Sequence, residues 1–361
     1  MAAVALSLDK STGGLLAHGK ASSMSGAAPT VRLWGNENPH GPSPLARRAM
    51  TEALVNGNRY AMPADYAELE NLIAKREGLT AEHVLLGSGS GELLAMAGVA
   101  YGLQSGEIVC ADPTFAGLMR YAEKIGARVT RVPLNERFEH DLEGMHGRVN
   151  KDVRLVYVCN PNNPTGTIVA GARLRDFCEA AARTSTVMVD EAYWDYADAP
   201  EFQTMVDLVR KGSNVIIVRT FSKIHALAGM RVGYALARPE TIARLREFRM
   251  GILNQVGLRG AIASYQDEEF MRFSRRKNLE AREIFYKEMD AMRRRYVRTQ
   301  GNFVWLHAGA ENRDLPLKLA ERGVMITGNR SPLTGDWARV TLGTPEEMRA
   351  FISAYKEAMK V

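Results

Sequence analysis

Residues 214–234 read NVIIVRTFSKIHALAGMRVGY and place a single lysine, Lys223, just past an apolar run. A short apolar run that gives way to small and polar residues is typical of a buried strand that ends at the edge of a sheet. In open α/β sheets, ligands bind at the carboxyl ends of the strands. We therefore predict that Lys223 lies in a functional site.

Two earlier segments have the same arrangement. TVMVDEAYWDY takes a β-branched strand to Asp190 and Tyr193, and VRLVYVCNPNNPTG ends another apolar run before Asn163. Because the carboxyl ends of parallel strands meet at one edge of a sheet, these side chains and Lys223 are expected to share one site.

The region from about residue 44 to about residue 250 alternates short apolar runs with amphipathic helices. The runs show no polar alternation, so both faces of each strand should be buried. Strands that alternate with helices indicate an α/β fold with a mostly parallel sheet. The seven runs are HVLLGSG, EIVCADP, RVTRVPL, VRLVYVCN, TVMVDEA, NVIIVRTFS and VGYALA.

Beyond residue 250 the chain changes to long charged helices and a few short strands, which indicates a smaller α+β domain. We predict a flexible leader over 1–30 and an N-terminal segment over 31–43 that packs with the small domain and the active site. The large domain is predicted over 44–255 and the small C-terminal domain over 256–361.

The composition is that of a globular enzyme. The chain has 361 residues, of which 46% are hydrophobic, and a formal charge of +6 spread among acidic residues. The densest basic cluster, 293–295, lies in a helical run where a solvated face is the simpler explanation, so nucleic acid is not an expected partner. No apolar stretch approaches the ~20 residues that cross a bilayer, and no membrane partner is expected.

The cysteines bear on the cellular compartment. Cys110, Cys159 and Cys178 are an odd number without CxxC spacing, which favours reduced thiols in the cytoplasm and gives no reason to expect a metal site. The Ala-, Gly- and Ser-rich leader could instead be the remainder of a trimmed export signal, which would place the protein in the periplasm.

Eight segments carry a family resemblance in their order and spacing, from Val31 onward. The chain resembles the fold type I pyridoxal-phosphate (PLP) enzymes, and most of all the class I/II aminotransferases of the histidinol-phosphate aminotransferase kind. The segments are NENPHGPSP, NRYAMPADYAELE, GSGSGELL, DPTFAGL, CNPNNPTG, VDEAYWDY, TFSKIHALAGMRVGY and RVTLGT.

The resemblance implies a PLP-dependent transfer of an amino group between an amino acid, or an amine such as histidinol phosphate, and a 2-oxo acid. It implies that Lys223 forms a Schiff base with the cofactor and shuttles the substrate proton. Both tasks require a pKa below the free value of ~10.4. Asp190 would keep the pyridine nitrogen protonated, so that the ring accepts electrons. Tyr193 and Asn163 would donate to the ring oxygen O3′, although a core tyrosine and a turn asparagine are the simpler alternatives.

The same resemblance implies a phosphate site at GSGSGELL, where glycines let backbone N–H groups approach and a helix begins. This turn lacks the spacing and lysine of a Walker loop, so it is not a nucleotide P-loop. The expected phosphate ligands are the backbones of Ser90 and Gly91 and the side chains of Thr220, Ser222 and Arg231.

Further positions follow from the family pattern. Phe115 would stack on the pyridine ring, and Tyr60 would reach the phosphate of the neighbouring subunit, which implies a homodimer with shared active sites. Arg339 would hold the substrate carboxylate bidentately. Asn36 and Asn302 would help to line the substrate pocket.

Two departures leave the substrate open. Relatives that act on phosphorylated amines carry an arginine where this chain has Thr327, and Arg330 follows three residues later. His40 replaces an aromatic residue that is frequent in relatives. A missing cation weakens the binding of a phosphate dianion, so histidinol phosphate is not a secure prediction.

Two alternative functions are compatible with the same residues. A PLP-dependent lyase resembling the threonine-phosphate decarboxylases would use the same cofactor site, and release of carbon dioxide without a keto acid would identify it. A non-catalytic PLP-binding regulator would couple this fold to a DNA-binding module. No winged-helix-like segment precedes residue 31.

Overall fold

The computed structural model describes residues 30–328 and 335–360. The predicted leader lies outside the described residues except for Thr30, and Arg330 lies outside them as well. No described helix combines the length and the apolar character needed to cross a membrane.

Twelve strands are formed by the described residues. In chain order they are β1 Val31–Leu33, β2 Val84–Gly87, β3 Glu107–Asp112, β4 Arg128–Pro133, β5 Val153–Cys159, β6 Thr186–Asp190, β7 Val215–Thr220, β8 Gly233–Leu236, β9 Tyr296–Val297, β10 Phe303–His307, β11 Val324–Gly328 and β12 Trp337–Thr341.

The same residues form twelve α-helices. They are α1 Pro44–Ala53, α2 Pro63–Glu77, α3 Ser90–Gly102, α4 Gly117–Lys124, α5 Leu142–His146, α6 Gly171–Ala181, α7 Val206–Arg210, α8 Pro239–Arg246, α9 Gln255–Tyr265, α10 Glu268–Ala291, α11 Leu315–Ala320 and α12 Pro345–Met359.

The seven predicted apolar runs form the larger sheet, in the order β2-β8-β7-β6-β5-β3-β4. Strands β3 to β7 run parallel to their neighbours within this group, whereas β8 is antiparallel to both β7 and β2. The prediction of a mostly parallel seven-stranded sheet between helices is confirmed.

Helices cover both faces of this sheet. Alternate residues of β5 point to opposite sides: Val156 and Val158 join the core that includes α2, α6 and α9, and Leu155 and Tyr157 join the core that includes α3 and α4. Side chains on both faces of the strand are thus removed from water, which explains the apolar sequence of β5 from Leu155 onward.

The second sheet has the order β1-β11-β12-β10-β9 and packs with α10, α11 and α12. Strand β1 pairs in parallel with β11, so Val31–Leu33 belong to this smaller sheet although they precede the large sheet in sequence. Helix α12 begins with a capping box between Thr344 and Glu347.

The predicted domain boundaries differ in one detail from the observed packing. Helix α9 begins at Gln255, but its buried residues belong to the core of the large sheet, and it packs against α1 and α2. A boundary between α9 and α10 describes these contacts better than one at 255/256. The division of the chain into a leader, an N-terminal segment and two domains stays a prediction.

Candidate active site

Three neighbouring parallel strands end at one edge of the large sheet. Strand β7 ends at Thr220, β6 at Asp190 and β5 at Cys159, and the strands are adjacent in the order β7-β6-β5. The loops after them bring Lys223, Tyr193 and Asn163 together, as the sequence predicted. The amide Nδ2 of Asn163 lies 3.3 Å from Tyr193 Oη, and Lys223 Nζ lies 5.7 Å from the centre of the Tyr193 ring.

Lys223 is partly buried, and its amine donates to the backbone carbonyl of Gly35 over 3.2 Å. The pKa of Lys223 is lowered from 10.5 to about 7, mainly by burial and also by the positive charges of Arg339 and Arg231, while Glu37 and Asp190 oppose the shift. A large fraction of this amine is therefore neutral near pH 7, as a nucleophile and a base require.

Asp190 lies beneath this cluster with 2% of its surface exposed. Its Oδ2 accepts from Tyr157 Oη over 3.0 Å, and its Oδ1 accepts from the backbone N–H of Ala192 over 3.1 Å. Burial raises its pKa to about 6, and these two hydrogen bonds oppose the rise. A carboxylate in such a position can pair with a protonated ring nitrogen.

The Tyr193 hydroxyl accepts two side-chain amides. Asn36 Nδ2 lies 2.9 Å from Tyr193 Oη, and Asn163 Nδ2 donates to the same oxygen. Burial raises the pKa of Tyr193. Because both lone pairs of the oxygen are engaged, its own proton is left free to donate to a bound group.

Arg339 is held by neutral groups. Its guanidinium donates to Asn163 Oδ1 over 2.7 Å, to the Trp34 carbonyl over 2.8 Å and to Thr327 Oγ1 over 3.3 Å. Its Nε is buried without a hydrogen-bond partner in the part of the chain that the structure describes. No carboxylate of the described residues forms a salt bridge with Arg339, so this cation can receive an external carboxylate.

The start of α3 lies against Arg231. Gly89 precedes α3 at φ +77°, and a Cβ on Gly89 would clash with Arg231 Nη2. Arg231 Nη1 lies 3.5 Å from Ser222 Oγ. The backbone N–H of Ser222 donates to Thr220 Oγ1. The missing side chain at Gly89 thus lets Arg231 approach the helix N-terminus.

The predicted phosphate ligands are brought together by this approach. They are the first residues of α3, Ser90 and Gly91, together with Thr220, Ser222 and Arg231. A helix N-terminus, two hydroxyls and a guanidinium fit a phosphate group.

Two predicted cofactor contacts, Phe115 and Tyr60, have exposed side chains. The Phe115 side chain precedes α4 and is 40% exposed, next to Thr114, which bonds to Asn162 in the loop after β5. Tyr60 lies between α1 and α2 and is 79% exposed, without a recorded contact to the cluster. Its expected contact belongs to a neighbouring subunit and stays a prediction.

Asn36 and Asn302 are engaged with protein groups. Asn36 also accepts from Thr341 Oγ1 over 3.2 Å, and Asn302 Nδ2 donates to the carbonyls of Asn36 and Glu37. The direct substrate contact that the family pattern suggested for both residues stays a prediction.

The two departures from the family pattern lie in different places. Thr327 Oγ1 donates to the Trp34 carbonyl over 2.7 Å and lies beside Arg339. The ring of His40 packs edge-on against Phe273 of α10.

Sequence reasoning missed several members of the cluster. Tyr157, Thr341 and the carbonyls of Trp34 and Gly35 all contact predicted site residues. Tyr157 gave one usable signal, since it is a hydroxyl-bearing residue inside the apolar part of its strand, two residues before the end of the strand. The carbonyl contacts had none, because every residue carries one.

Comparison with known proteins identifies the family of this chain. The family model of the class I and II aminotransferases matches residues 28–354. The chain therefore belongs to the class I and II aminotransferases.

Individual relatives within this family are histidinol-phosphate aminotransferases. Histidinol-phosphate aminotransferase of Moorella thermoacetica is 38% identical over 351 residues, covering 92% of this chain and 86% of that protein. Histidinol-phosphate aminotransferase of Brevibacillus brevis is 35% identical over 340 residues, covering 92% and 91%. The crystal structure of histidinol-phosphate aminotransferase from Sinorhizobium meliloti in complex with pyridoxal-5'-phosphate is 25% identical, with a TM-score of 0.85 and coverage of 93% and 92%.

These likenesses and the fold confirm the predicted class. The protein is a PLP-dependent aminotransferase of fold type I that acts on small-molecule substrates. The lysine with a lowered pKa, the buried Asp190 and the space left by Gly89 fit this cofactor.

Proposed function

We propose that this aminotransferase transfers the amino group of an amino acid to a 2-oxo acid, with Lys223 as its base and Arg339 as its substrate anchor. One observation carries the proposal: a lysine with a pKa lowered to about 7 lies in the field of a guanidinium that has no carboxylate partner among the described residues. A neutral amine can take a proton, and such a guanidinium can bind a carboxylate bidentately.

When bound, pyridoxal phosphate supplies an aldehyde carbon that accepts the amino group and a ring that accepts the electrons left at the substrate Cα. We assign its covalent attachment to Lys223, its ring nitrogen to Asp190 and its ring oxygen to Tyr193 and Asn163. The remaining assignments are the ring face to Phe115 and the phosphate to Ser90, Gly91, Thr220, Ser222 and Arg231, with Tyr60 of the partner subunit.

The residues divide the proton chemistry among them. Lys223 Nζ takes the proton from the substrate Cα and holds it for the return transfer. Asp190 stays ionised and stabilises positive charge at the ring nitrogen. Tyr193 donates the one proton that its contacts with Asn36 and Asn163 leave free.

The amino donor is inferred from Arg339 and the residue beside it. An α-carboxylate against Arg339 favours an amino acid. The names of the relatives support histidinol phosphate as the second candidate, whose phosphate would take the same guanidinium. Thr327, a neutral residue beside Arg339, favours the singly charged carboxylate over a phosphate dianion.

A half-reaction screen tests this proposal. The yellow holoenzyme is mixed with a panel of amino acids and with histidine, histidinol and histidinol phosphate, and loss of the cofactor's colour is followed together with the product. We expect conversion with an α-amino acid and formation of the matching 2-oxo acid. Lys223→Ala serves as the inactive control. Carbon dioxide without a 2-oxo acid would identify a lyase and refute transamination.

We propose that the enzyme is a homodimer with shared active sites. Large apolar side chains are exposed in the connection between α1 and α2 and in the segment before α9. A hydrogen bond from the Leu253 N–H to Tyr66 Oη joins the segment before α9 to α2. Contiguous exposed apolar surface is typical of an interface. The exposed side chains are Leu54, Val55, Tyr60, Met62, Met250 and Ile252.

Subunit mixing tests the shared site. Lys223→Ala and Tyr60→Ala subunits, each inactive as pure dimers, should regain about a quarter of the wild-type activity when they are exchanged in equal amounts, because each hybrid dimer has one intact site. Absence of any recovery, with exchange shown by mass measurement of tagged subunits, would contradict a shared site.

We propose a cytoplasmic location. Its support is that Cys110, Cys159 and Cys178 are free and buried, as suits a reducing compartment. Cell fractionation with a periplasmic marker enzyme tests it.

A further inference from the structure

Tyr157 contacts Asp190 from within the protein core. It lies on β5, it is fully buried, and its hydroxyl donates to Asp190 Oδ2 over 3.0 Å. Tyr157 has no part in the cofactor binding, substrate binding or proton transfer proposed for this site.

The strand pairing explains the contact. Tyr157 is paired with Met188 on β6, so Asp190 lies two residues further along the neighbouring strand and on the same face of the sheet. A tyrosine ring is long enough to span this diagonal. Cys159, which pairs with Asp190 directly, turns its thiol to the Pro161 carbonyl instead.

The hydroxyl affects the charge of Asp190 and the direction of its carboxylate. Burial raises the pKa of Asp190, and the hydrogen bond from Tyr157 is the largest effect that lowers it. The Ala192 N–H and Lys223 also favour the ionised form, whereas Glu191 opposes it. Tyr193 and Cys159 face the same carboxylate from the adjoining loop and strand.

Two donors on different oxygens fix the plane of the carboxylate. Tyr157 holds Oδ2 and the Ala192 N–H holds Oδ1, which leaves the remaining lone pairs for a group outside the core. Without the tyrosine hydroxyl, Oδ2 would lose its only hydrogen bond within the described residues.

We propose that Tyr157 is a positioning residue that keeps Asp190 ionised and directs its carboxylate to the cofactor ring nitrogen, so that the shared proton resides on the nitrogen. This inference rests on the proposed role of Asp190. Tyr157 itself transfers no proton. Its hydrogen bond stabilises the ionised carboxylate of Asp190, so that the proton stays on the ring nitrogen.

The test compares Tyr157→Phe with Tyr101→Phe in the holoenzyme. Tyr101 is buried in the same core and is not among the described hydrogen-bond partners of Asp190, which are Tyr157 and Ala192, so its variant controls for the loss of a hydroxyl from this core. With cofactor labelled with ¹⁵N at the ring nitrogen, we expect the ¹⁵N resonance of Tyr157→Phe to shift toward the unprotonated form near neutral pH. The wild type and Tyr101→Phe should stay protonated.

The rate constant of the half-reaction is a second measurement that tests the role of Tyr157. The half-reaction rate constant of Tyr157→Phe should fall about tenfold, with little change in the KM for the amino donor, because the ring accepts electrons less well. Tyr157→His, whose ring N–H can still donate, should recover part of the ¹⁵N shift and of the rate. Should Tyr157→Phe prove too unstable to purify, Tyr157→Met, which also lacks the donor, is compared with Tyr157→His: an unprotonated nitrogen in Tyr157→Met alone would support the inference, and a protonated nitrogen in Tyr157→Met would overturn it.

The variant Asp190→Asn tests the role proposed for Asp190 separately from the role inferred for Tyr157. If Asp190→Asn reacts as fast as the wild type, the role proposed for Asp190 fails, and the role of Tyr157 fails with it. If Asp190→Asn is impaired while Tyr157→Phe matches Tyr101→Phe in the ¹⁵N resonance and in rate, only the inference on Tyr157 is overturned.

Discussion

Asn36 and Tyr193 lie 157 positions apart in sequence, and the Asn36 amide donates to the Tyr193 hydroxyl over 2.9 Å. Asn36 follows the strand β1 of the smaller sheet, whereas Tyr193 follows β6 of the larger one. The hydrogen bond therefore joins the N-terminal segment to the edge of the sheet where Lys223, Tyr193 and Asn163 meet.

Replacement of Asn36 should impair catalysis more than folding. In Asn36→Ala the Tyr193 hydroxyl loses one of its two amide donors, so its proton is no longer directed outward. We expect the half-reaction rate to fall about tenfold, the amount expected when one hydrogen bond to a catalytic group is lost. Stopped-flow absorbance on the holoenzyme measures this rate.

Thr341→Val is the matched comparison for Asn36. It removes the hydroxyl that bonds to Asn36 Oδ1 and leaves Tyr193 untouched, so its effect should be smaller. Equal rates for Asn36→Ala and the wild type would show that the Asn36 contact has no part in catalysis.

Arg339 should control substrate affinity. Arg339→Gln removes the charge but can still donate to neighbouring groups, so the KM of the amino donor should rise about 100-fold, the effect of losing a buried charged hydrogen bond. Steady-state kinetics with saturating 2-oxo acid measure it. Arg349→Gln, at an exposed ion pair with Glu346, is the control that should leave the KM unchanged. An unaltered KM in Arg339→Gln would exclude the proposed anchor.

Gly89 should be essential for cofactor binding. A Cβ at Gly89 would displace the Arg231 guanidinium from the start of α3, so Gly89→Ala should weaken the affinity for pyridoxal phosphate about 10- to 100-fold, as for the loss of a charged hydrogen bond to phosphate. Fluorescence titration of the cofactor-free protein measures this affinity.

Gly126→Ala is the control for backbone strain at Gly89. Gly126 has φ +86°, and a Cβ there would meet nothing within 4 Å. This variant should lose about 1 kcal/mol of stability without losing cofactor affinity. The prediction for Gly89 is wrong if both variants bind the cofactor equally well.

The lowered pKa of Lys223 should appear in the stability of the cofactor-free protein. The folded chain binds this proton with a pKa of about 7, against 10.5 for the ordinary side chain, so between these values the unfolded chain holds more protons. The free energy of unfolding should therefore rise with pH across this window, and the cost of the buried charge should be largest at and below about pH 7.

Lys223→Met removes this cost. At pH 7 the variant should be about 1 to 3 kcal/mol more stable than the wild type, and the difference should disappear as the pH approaches 10.5. Urea unfolding of both cofactor-free proteins at several pH values gives the comparison. A difference that does not change with pH would mean that Lys223 has an ordinary pKa.

The sequence by itself determined the strands of the large sheet and the residues at their ends. The apolar runs of β5, β6 and β7 form buried parallel strands, and the carboxyl ends of such strands share an edge. The expected burial on both faces was wrong for β4, which lies at the edge of the sheet and is mostly exposed or half-buried. For that reason Asp190 and Lys223 could be placed at one site before any contact was known. The order of the family motifs added Arg231 and Arg339.

Only the tertiary structure decided the partners of these residues. The bond from Tyr157 to Asp190 requires β5 and β6 to be neighbours in a particular register, and the bond from Asn36 to Tyr193 requires the N-terminal strand to join the smaller sheet. Both depend on pairing between distant segments, which local periodicity does not encode. The same pairing engages the side chains of Asn36 and Asn302 with protein groups, including the Tyr193 hydroxyl and the backbone carbonyls of Asn36 and Glu37.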